Sequence, residues 1–190
     1  MVFSDKPKLI GYWNDRLQDG SLLGDGSLSE QYALYPSPLD LVSPGWLGSE
    51  KSSLISYLRS GVMYTESLGW STCSFLCKNK SVGSRELTDG VWVWPEGLAH
   101  YVEVHDVLLP SEFVDHARNN GFLIPADVIT TYGRKWEKKP NIFVRIFRII
   151  TRSKWSFYRG LYDKWELYDR SFWIQWGKNF ANKGSESDEK

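Results

Sequence analysis

Hydrophobic and polar positions in the middle of the chain predict a strand that runs directly into a helix. Residues 91–94 are β-branched and aromatic, which favours a strand, and Pro95 ends the strand because proline has no N–H for the hydrogen-bond ladder. The sequence Thr-Asp-Gly at 88–90 predicts a tight turn before the strand. After Pro95 the apolar positions follow helical spacing, at Leu98, Tyr101, Val102 and His105.

The same reasoning predicts further elements on both sides of this unit. Residues 8–13 indicate an edge strand, and residues 62–65 and 69–77 indicate two more strands. Helices are expected over 49–60 and 112–120, each between a serine that can cap its start and a glycine that can end it. The predicted fold class is therefore α+β, a small antiparallel sheet with helices packed on one face and a tryptophan-rich helical C-terminal extension.

The character of the chain changes after residue 121, and this predicts the domain organisation. Residues 1–121 are expected to form the α+β domain, and residues 122–140 are a polar connection broken by proline and glycine. Residues 141–180 are interpreted as an amphipathic helical extension. Residues 181–190 are acidic and lack large apolar side chains, which is typical of a disordered tail.

The extension carries two patterns that predict partner-binding residues. Between Arg134 and Arg159 there are nine basic residues and one acidic residue, a net charge of +8 that the rest of the chain balances. An aromatic stripe recurs at three- and four-residue steps from Leu161 to Trp176, and a stripe of that size must be covered. The stripe packs either on this domain or on another molecule. We expect the second case, with partner contacts from Arg145, Arg148, Arg152, Trp155, Trp165, Tyr168, Phe172 and Trp176.

Composition limits the classes of protein to which the chain can belong. It has 190 residues, with ten Trp, ten Tyr and nine Phe, enough aromatic surface for a substantial core and a partner surface. Its formal net charge is zero, which argues against attraction of the whole molecule to nucleic acid or anionic membrane. No apolar run approaches the ~20 residues of a transmembrane helix, and the N-terminus does not resemble a signal peptide, so we expect a cytoplasmic protein.

Four residues have the spacing of a zinc site. Cys73-x3-Cys77 and His100-x4-His105 both lie inside the ranges seen for paired zinc ligands. The expected local structure argues against this site, because residues five apart on a helix are rotated by about 140° and residues four apart on a strand stand roughly 13 Å apart. We therefore expect two buried free cysteines, a core histidine at 105, no metal and no cofactor, and we keep the metal site as an alternative.

A second alternative is catalysis by the polar face of the helix that follows Pro95. Glu96, His100 and Glu103 would lie within about 60° of one another, so the carboxylates would raise the pKa of the imidazole for general base catalysis, with Asp89 as a further carboxylate. Such a face is also typical of any surface helix. Nucleophile-elbow, phosphate-loop, dinucleotide and His-Glu-x-x-His motifs are absent, which removes the common enzyme classes as first interpretations.

The residues around this helix resemble a known family. The stretch Leu87-Thr88-Asp89-Gly90, the run WPEGLAHYV at 94–102, then His105 and Leu109-Pro110 are similar to a family of small uncharacterised proteins with a T-D-G-x-W-x-W-P-E-G-L-A-H-Y-V box. The resemblance covers residues 46–113. It implies no catalytic residue and no activity.

Together these observations predict a non-enzymatic protein-binding module, either an inhibitor or immunity-type protein or a subunit of an assembly. The expected partner is an acidic protein, because the basic segment lies next to the aromatic stripe. One alternative is a hydrolase-like enzyme that uses Asp89, Glu96 and His100. The other is a nucleic-acid-binding protein that uses the basic aromatic segment 134–159.

Overall fold

The structure is a computed structural model, and it describes residues 6–14, 16–21, 32–66, 70–78, 82–128 and 168–187. The strands are β1 (Lys8–Leu9), β2 (Val62–Glu66), β3 (Arg85–Thr88) and β4 (Trp92–Pro95). The α-helices in these ranges are α1 (Lys51–Ser60), α2 (Leu98–His105), α3 (Ser111–Asn119) and α4 (Ser171–Ser187). Short 3-10 helices cover Pro38–Leu41 and Gly48–Glu50.

The four strands form one mixed sheet in the order β1-β4-β3-β2. The pairs β2–β3 and β3–β4 are antiparallel, whereas β1 pairs parallel to β4 at the edge. The predicted α+β class is confirmed, but the sheet is not wholly antiparallel. Arg85 and Glu86 begin β3 because their backbone pairs with Glu66 and Thr65 of β2.

Two tryptophans on one face of β4 lie at the centre of the core. Trp92 and Trp94 share a face because side chains alternate along a strand, and each is no more than 2% exposed. Both rings contact Phe113 of α3 edge to face. Trp94 also stacks with Tyr57 of α1 and donates its Nε1–H to the carbonyl oxygen of Leu58 at 3.0 Å. Helices α1 and α3 therefore cover this face of the sheet.

A buried carboxylate ties the C-terminal part of the chain to β3. Glu86 is only 7% exposed, and its carboxylate accepts hydrogen bonds from the hydroxyls of Tyr12 and Tyr168. Next to Tyr168, the carbonyl oxygen of Asp169 accepts a hydrogen bond from the N–H of Leu9 at 2.8 Å. Residues 168–170 thus extend the edge of the sheet beside β1 and deliver α4 to the core.

Helix α4 corrects the interpretation of the aromatic stripe. A helix was expected over 161–176, but α4 begins at Ser171, where Asp169 Oδ1 accepts hydrogen bonds from the Ser171 N–H and hydroxyl. This start turns Trp173 inward, where it is fully buried and donates its Nε1–H to the carbonyl oxygen of Tyr12 at 2.5 Å. The helix continues to Ser187, so the disordered tail expected from residue 181 is wrong for residues 181–187.

Part of the stripe for which a partner was expected contacts the core of this chain. Tyr168 is 5% exposed, and Phe172 and Trp176 are half-buried against the hydrophobic core. Tyr168 lies just before α4 and the other two rings lie on it, so all three have neighbours within the chain. Partner binding by these residues stays a prediction. The other residues expected to bind a partner lie outside the described residues: Arg145, Arg148, Arg152, Trp155 and Trp165.

Within the described part of the chain, none of the helices is both long enough and apolar enough to span a lipid bilayer.

Replacing Trp173 with alanine should lower the free energy of unfolding by about 3–5 kcal/mol, because it removes a fully buried ring and leaves a cavity. The matched control is Trp70→Ala, at a position that is 73% exposed, where the change should stay within about 0.5 kcal/mol. Urea unfolding followed by circular dichroism measures both variants. Equal stabilities of the two variants would contradict the placement of α4 in the core.

Candidate metal centre

The two cysteines lie in a turn between β2 and β3, not in a strand. The N–H of Leu76 donates to the carbonyl oxygen of Cys73 at 3.0 Å, and Leu76 itself has a left-handed φ of 56°. This turn reverses the chain between Cys73 and Cys77, so the strand expected over 69–77 is wrong. A strand would set the Cα atoms of Cys73 and Cys77 roughly 13 Å apart, and this separation therefore does not apply.

Hydrogen bonds hold this turn against helix α2. The backbone N–H of Ser74 donates to the hydroxyl of Tyr101 at 3.0 Å, and the N–H of Gln18 donates to the carbonyl oxygen of Ser74 at 2.9 Å. Tyr101 is 4% exposed and packs in a small cluster with Leu41, Cys73 and Val107. The turn is therefore fixed over one particular face of α2.

His100 and His105 reach the turn from the two sides of that face. Their positions are rotated by about 140° on a helix, and Tyr101 lies between them. The two rings nevertheless have centroids only 5.1 Å apart, because both side chains lean toward the turn that covers Tyr101. Phe75 of the turn stacks on His105 with 3.9 Å between ring centroids and 8° between planes, which fixes the orientation of that ring.

The four side chains converge with distances close to those of a tetrahedral metal site. His105 Nε2 lies 3.4 Å from Cys73 Sγ and 3.1 Å from Cys77 Sγ, and His100 Nε2 lies 3.3 Å from Cys73 Sγ. A tetrahedral Zn²⁺ ion, with its usual bond lengths to sulfur and nitrogen, would set these atoms about 3.5 Å apart. One potential ligand atom from each of the four residues lies within 4.8 Å of the other three.

Burial favours the metal-binding form of the two histidines but not that of Cys73. Burial lowers the pKa of His100, although Glu103 opposes this effect, and burial followed by the charge of His100 lowers the pKa of His105. Both imidazoles are therefore neutral near pH 7 and have a lone pair to donate. Burial also raises the pKa of the Cys73 thiol to about 11, and a bound cation would reverse this preference by stabilising the thiolate.

The donor set determines which chemistry the centre can support. Two thiolates and two imidazoles in a tetrahedron suit Zn²⁺ better than Mg²⁺ or Ca²⁺, which prefer oxygen. Four protein ligands fill the coordination shell, so no position remains for a water nucleophile. The spacing of the two cysteines and that of the two histidines both match the spacings of zinc ligands. The geometrical objection to the cysteine pair does not hold, because the chain turns at 73–76 and does not run as a strand there.

The four residues considered for catalysis do not form one site. His100 belongs to the cysteine cluster, and the pKa of this imidazole is lowered, not raised as expected. Glu96 accepts hydrogen bonds from the N–H groups of Ser84 and Arg85, and Glu103 forms an ion pair with Arg59. Each carboxylate therefore has a structural partner elsewhere.

Asp89 has a structural role that sequence reasoning missed. One carboxylate oxygen accepts the N–H groups of Val91 and Trp92 at 2.8 and 2.7 Å, and the other accepts the hydroxyl of Tyr57 at 2.6 Å. His116 Nε2 lies 3.2 Å from the same second oxygen. In the sequence, only the Thr-Asp-Gly turn pattern at 88–90 indicated the hydrogen bonds from Val91 and Trp92. No local pattern indicated the contacts with Tyr57 or His116.

Comparison of the chain with protein-family models, with curated proteins and with solved structures finds no match.

Replacing Asp89 with asparagine should cost about 1–3 kcal/mol at neutral pH, since buried donors lose a charged acceptor. Burial opposes the charged form, but hydrogen bonds from His116, Tyr57 and the backbone outweigh it, so the pKa of Asp89 lies below its ordinary value. Because the pKa is lower in the folded state, the ionised carboxylate stabilises the fold at pH values above the unfolded-state pKa of about 3.9. This stabilisation is lost as the pH falls below that value. The difference in unfolding free energy between wild type and variant should therefore narrow below about pH 4.

The matched control is Asp127→Asn, because Asp127 is exposed. It should change the stability by no more than about 0.5 kcal/mol, as expected for an ordinary surface position. Denaturant titrations between neutral and acidic pH measure both variants. A pH-independent difference between wild type and Asp89→Asn would contradict a lowered pKa.

Proposed function

We propose that the chain is a zinc-binding protein in which one structural Zn²⁺ joins the β2–β3 connection to α2. The observation that carries the proposal is the convergence of Cys73, Cys77, His100 and His105, with sulfur-to-nitrogen distances of 3.1–3.4 Å. A coordination shell filled by protein suits a structural role and not a catalytic one. The site needs reduced thiols, so it fits a reducing compartment such as the cytoplasm.

The metal would stabilise a connection that has limited contact with the hydrophobic core. Cys73 is buried and Phe75 packs on Tyr101 and His105, but residues 71, 76 and 78 are exposed. Hydrogen bonds to Tyr101 and Gln18 also hold the turn. A metal that binds only the folded state adds stability that grows with its free concentration, about 4 kcal/mol at a thousand times the dissociation constant.

The zinc proposal predicts one metal ion per chain. Elemental analysis of protein purified without chelators should find one zinc, and Cys73→Ser or His105→Ala should reduce the content to background. His116→Ala is the matched control and should keep its zinc, because His116 contacts Asp89 and Asn120, not the cysteines. A Cys73→Ser variant that retains a full equivalent of zinc would contradict the site.

Cobalt substitution tests the geometry separately from the stoichiometry. Co²⁺ in a tetrahedral site with two thiolates absorbs visible light much more strongly than octahedral Co²⁺. The cobalt form of the wild type should therefore show intense visible bands and a thiolate-to-metal band in the near ultraviolet, and His116→Ala should show the same. A pale, octahedral spectrum would contradict the proposed ligand set.

A second proposed function is protein binding, and exposed apolar side chains near the ligands support it. Trp70 is 73% exposed three residues before Cys73, Leu76 is 45% exposed between the cysteines, and Val104 is 53% exposed next to His105. Tryptophan is the side chain most enriched among residues that dominate binding energy. In this proposal the metal is structural and the segment that it fixes presents Trp70 to a partner protein.

Trp70→Ala should abolish retention of a partner while it leaves the melting temperature unchanged. Tagged wild type and variant are purified from the cells that make the protein, and retained proteins are compared by mass spectrometry. Leu123→Ala is the control, because Leu123 is 72% exposed but lies far along the chain from the metal ligands. Retention of the same proteins by Trp70→Ala would contradict a role for this surface.

A further inference from the structure

The two cysteines of the proposed metal centre differ in their access to solvent. Cys73 is fully buried beneath Leu41, Tyr101 and Val107, whereas Cys77 is only half-buried at the far side of the turn. The chain contains no other cysteine. An oxidant that enters from solvent therefore meets the sulfur of Cys77 first, and only Cys73 of the same chain can respond.

The turn also brings the two sulfurs within reach of each other. Both Sγ atoms belong to a group of ligand atoms that lie within 4.8 Å of one another. A disulfide needs a separation of about 2.05 Å and a short distance between backbones, which a turn provides and a strand does not. The carbonyl of Cys73 already accepts the N–H of Leu76, so the chain reverses direction between the two cysteines.

We propose that the centre is a peroxide-sensitive switch, in which oxidation of Cys73 and Cys77 to a disulfide releases the metal. This inference rests on the zinc-binding function proposed above. The co-reactant is a peroxide, either hydrogen peroxide or an organic hydroperoxide. In this switch the sulfur of Cys77 attacks the peroxide, and the sulfur of Cys73 then attacks that of Cys77 to complete the disulfide.

The chemistry balances in two steps. The Cys77 thiolate attacks one oxygen of the peroxide, the O–O bond breaks, and the product is a sulfenic acid on Cys77 and an alcohol or water after proton uptake. The Cys73 thiolate then attacks the Cys77 sulfur, the S–O bond breaks, and hydroxide leaves as water after taking a second proton. In sum, two thiolates lose two electrons to the peroxide, and the Zn²⁺ ion keeps its charge.

Loss of the thiolates has a structural consequence. A disulfide sulfur is a poor ligand, so only His100 and His105 remain, and two neutral imidazoles do not complete a tetrahedral site. The turn that holds the cysteines then keeps the hydrogen bonds of Ser74 to Tyr101 and Gln18 but loses its link to both histidines. Oxidation would thus loosen the surface that the metal fixes, while the core around Trp92 and Trp94 stays intact.

The test uses the zinc-loaded, full-length protein with hydrogen peroxide as the probe. A chromogenic chelator measures released zinc, and mass spectrometry without reductant measures the disulfide as a loss of two hydrogens from the reduced chain. We expect one zinc released for each Cys73–Cys77 disulfide formed, with recovery after dithiothreitol and zinc are added. Zinc that stays bound, or that leaves with only intermolecular disulfides or sulfinic acids, would overturn the switch.

Single variants test the assignment of the two sulfurs. After peroxide, Cys73→Ser should accumulate a sulfenic acid on Cys77 that dimedone traps, at about tenfold the level seen with Cys77→Ser, because exposure governs this oxidation. If a variant proves unstable, alkylation of the metal-free wild type decides instead, and Cys77 should react before Cys73. Equal labelling, or faster labelling of Cys73, would overturn the assignment.

The outcomes separate this inference from the function on which it rests. Absence of zinc from the untreated protein would overturn the metal centre itself. A full equivalent of zinc that peroxide does not release would leave the structural zinc site in place and overturn only the switch.

Discussion

One buried carboxylate, that of Asp89, joins the turn between β3 and β4 to helices α1 and α3. The carboxylate closes the turn between β3 and β4, and it also accepts the hydroxyl of Tyr57 from α1 and contacts His116 of α3. A buried charge is costly unless its oxygens are satisfied, and here the partners come from three elements. The direction in which β4 leaves this turn then determines where Trp92, Trp94 and helix α2 lie.

Helix α2 carries two of the four candidate metal ligands, and its position follows from that of β4. The strand ends at Pro95, and α2 starts three residues later, so the helix is placed by the same hairpin that Asp89 closes. Gly97, just before the helix, allows the backbone of Val82 to approach, since a Cβ at position 97 would meet the Val82 oxygen at 2.7 Å. The part of the β2–β3 connection at Val82 is thereby held next to the start of α2, the helix that carries both histidines.

Most residues of the T-D-G-x-W-x-W-P-E-G-L-A-H-Y-V sequence at 88–102 have a structural role in this molecule. Thr88 and Asp89 form the turn, Trp92 and Trp94 fill the core, and Glu96 accepts backbone hydrogen bonds from the end of the β2–β3 connection. The box thus describes how one hairpin and one helix are built. His100 within this sequence and His105 just after it are the two candidate metal ligands on α2.

By itself the sequence determined the elements whose signals are local. Alternating and helical spacing predicted β4, α1, α2 and α3, and the Thr-Asp-Gly turn was predicted because a short polar side chain bonds to the backbone two residues on. Only the tertiary structure decided the rest. Strand β3 depends on its neighbours in the sheet, α4 is held by Glu86 and the core, and the metal ligands meet because a turn crosses Tyr101. Contacts between residues far apart in the chain leave no periodic pattern in the sequence. The spacing of cysteines and histidines therefore identified the four candidate ligands, but it did not predict that their side chains would meet.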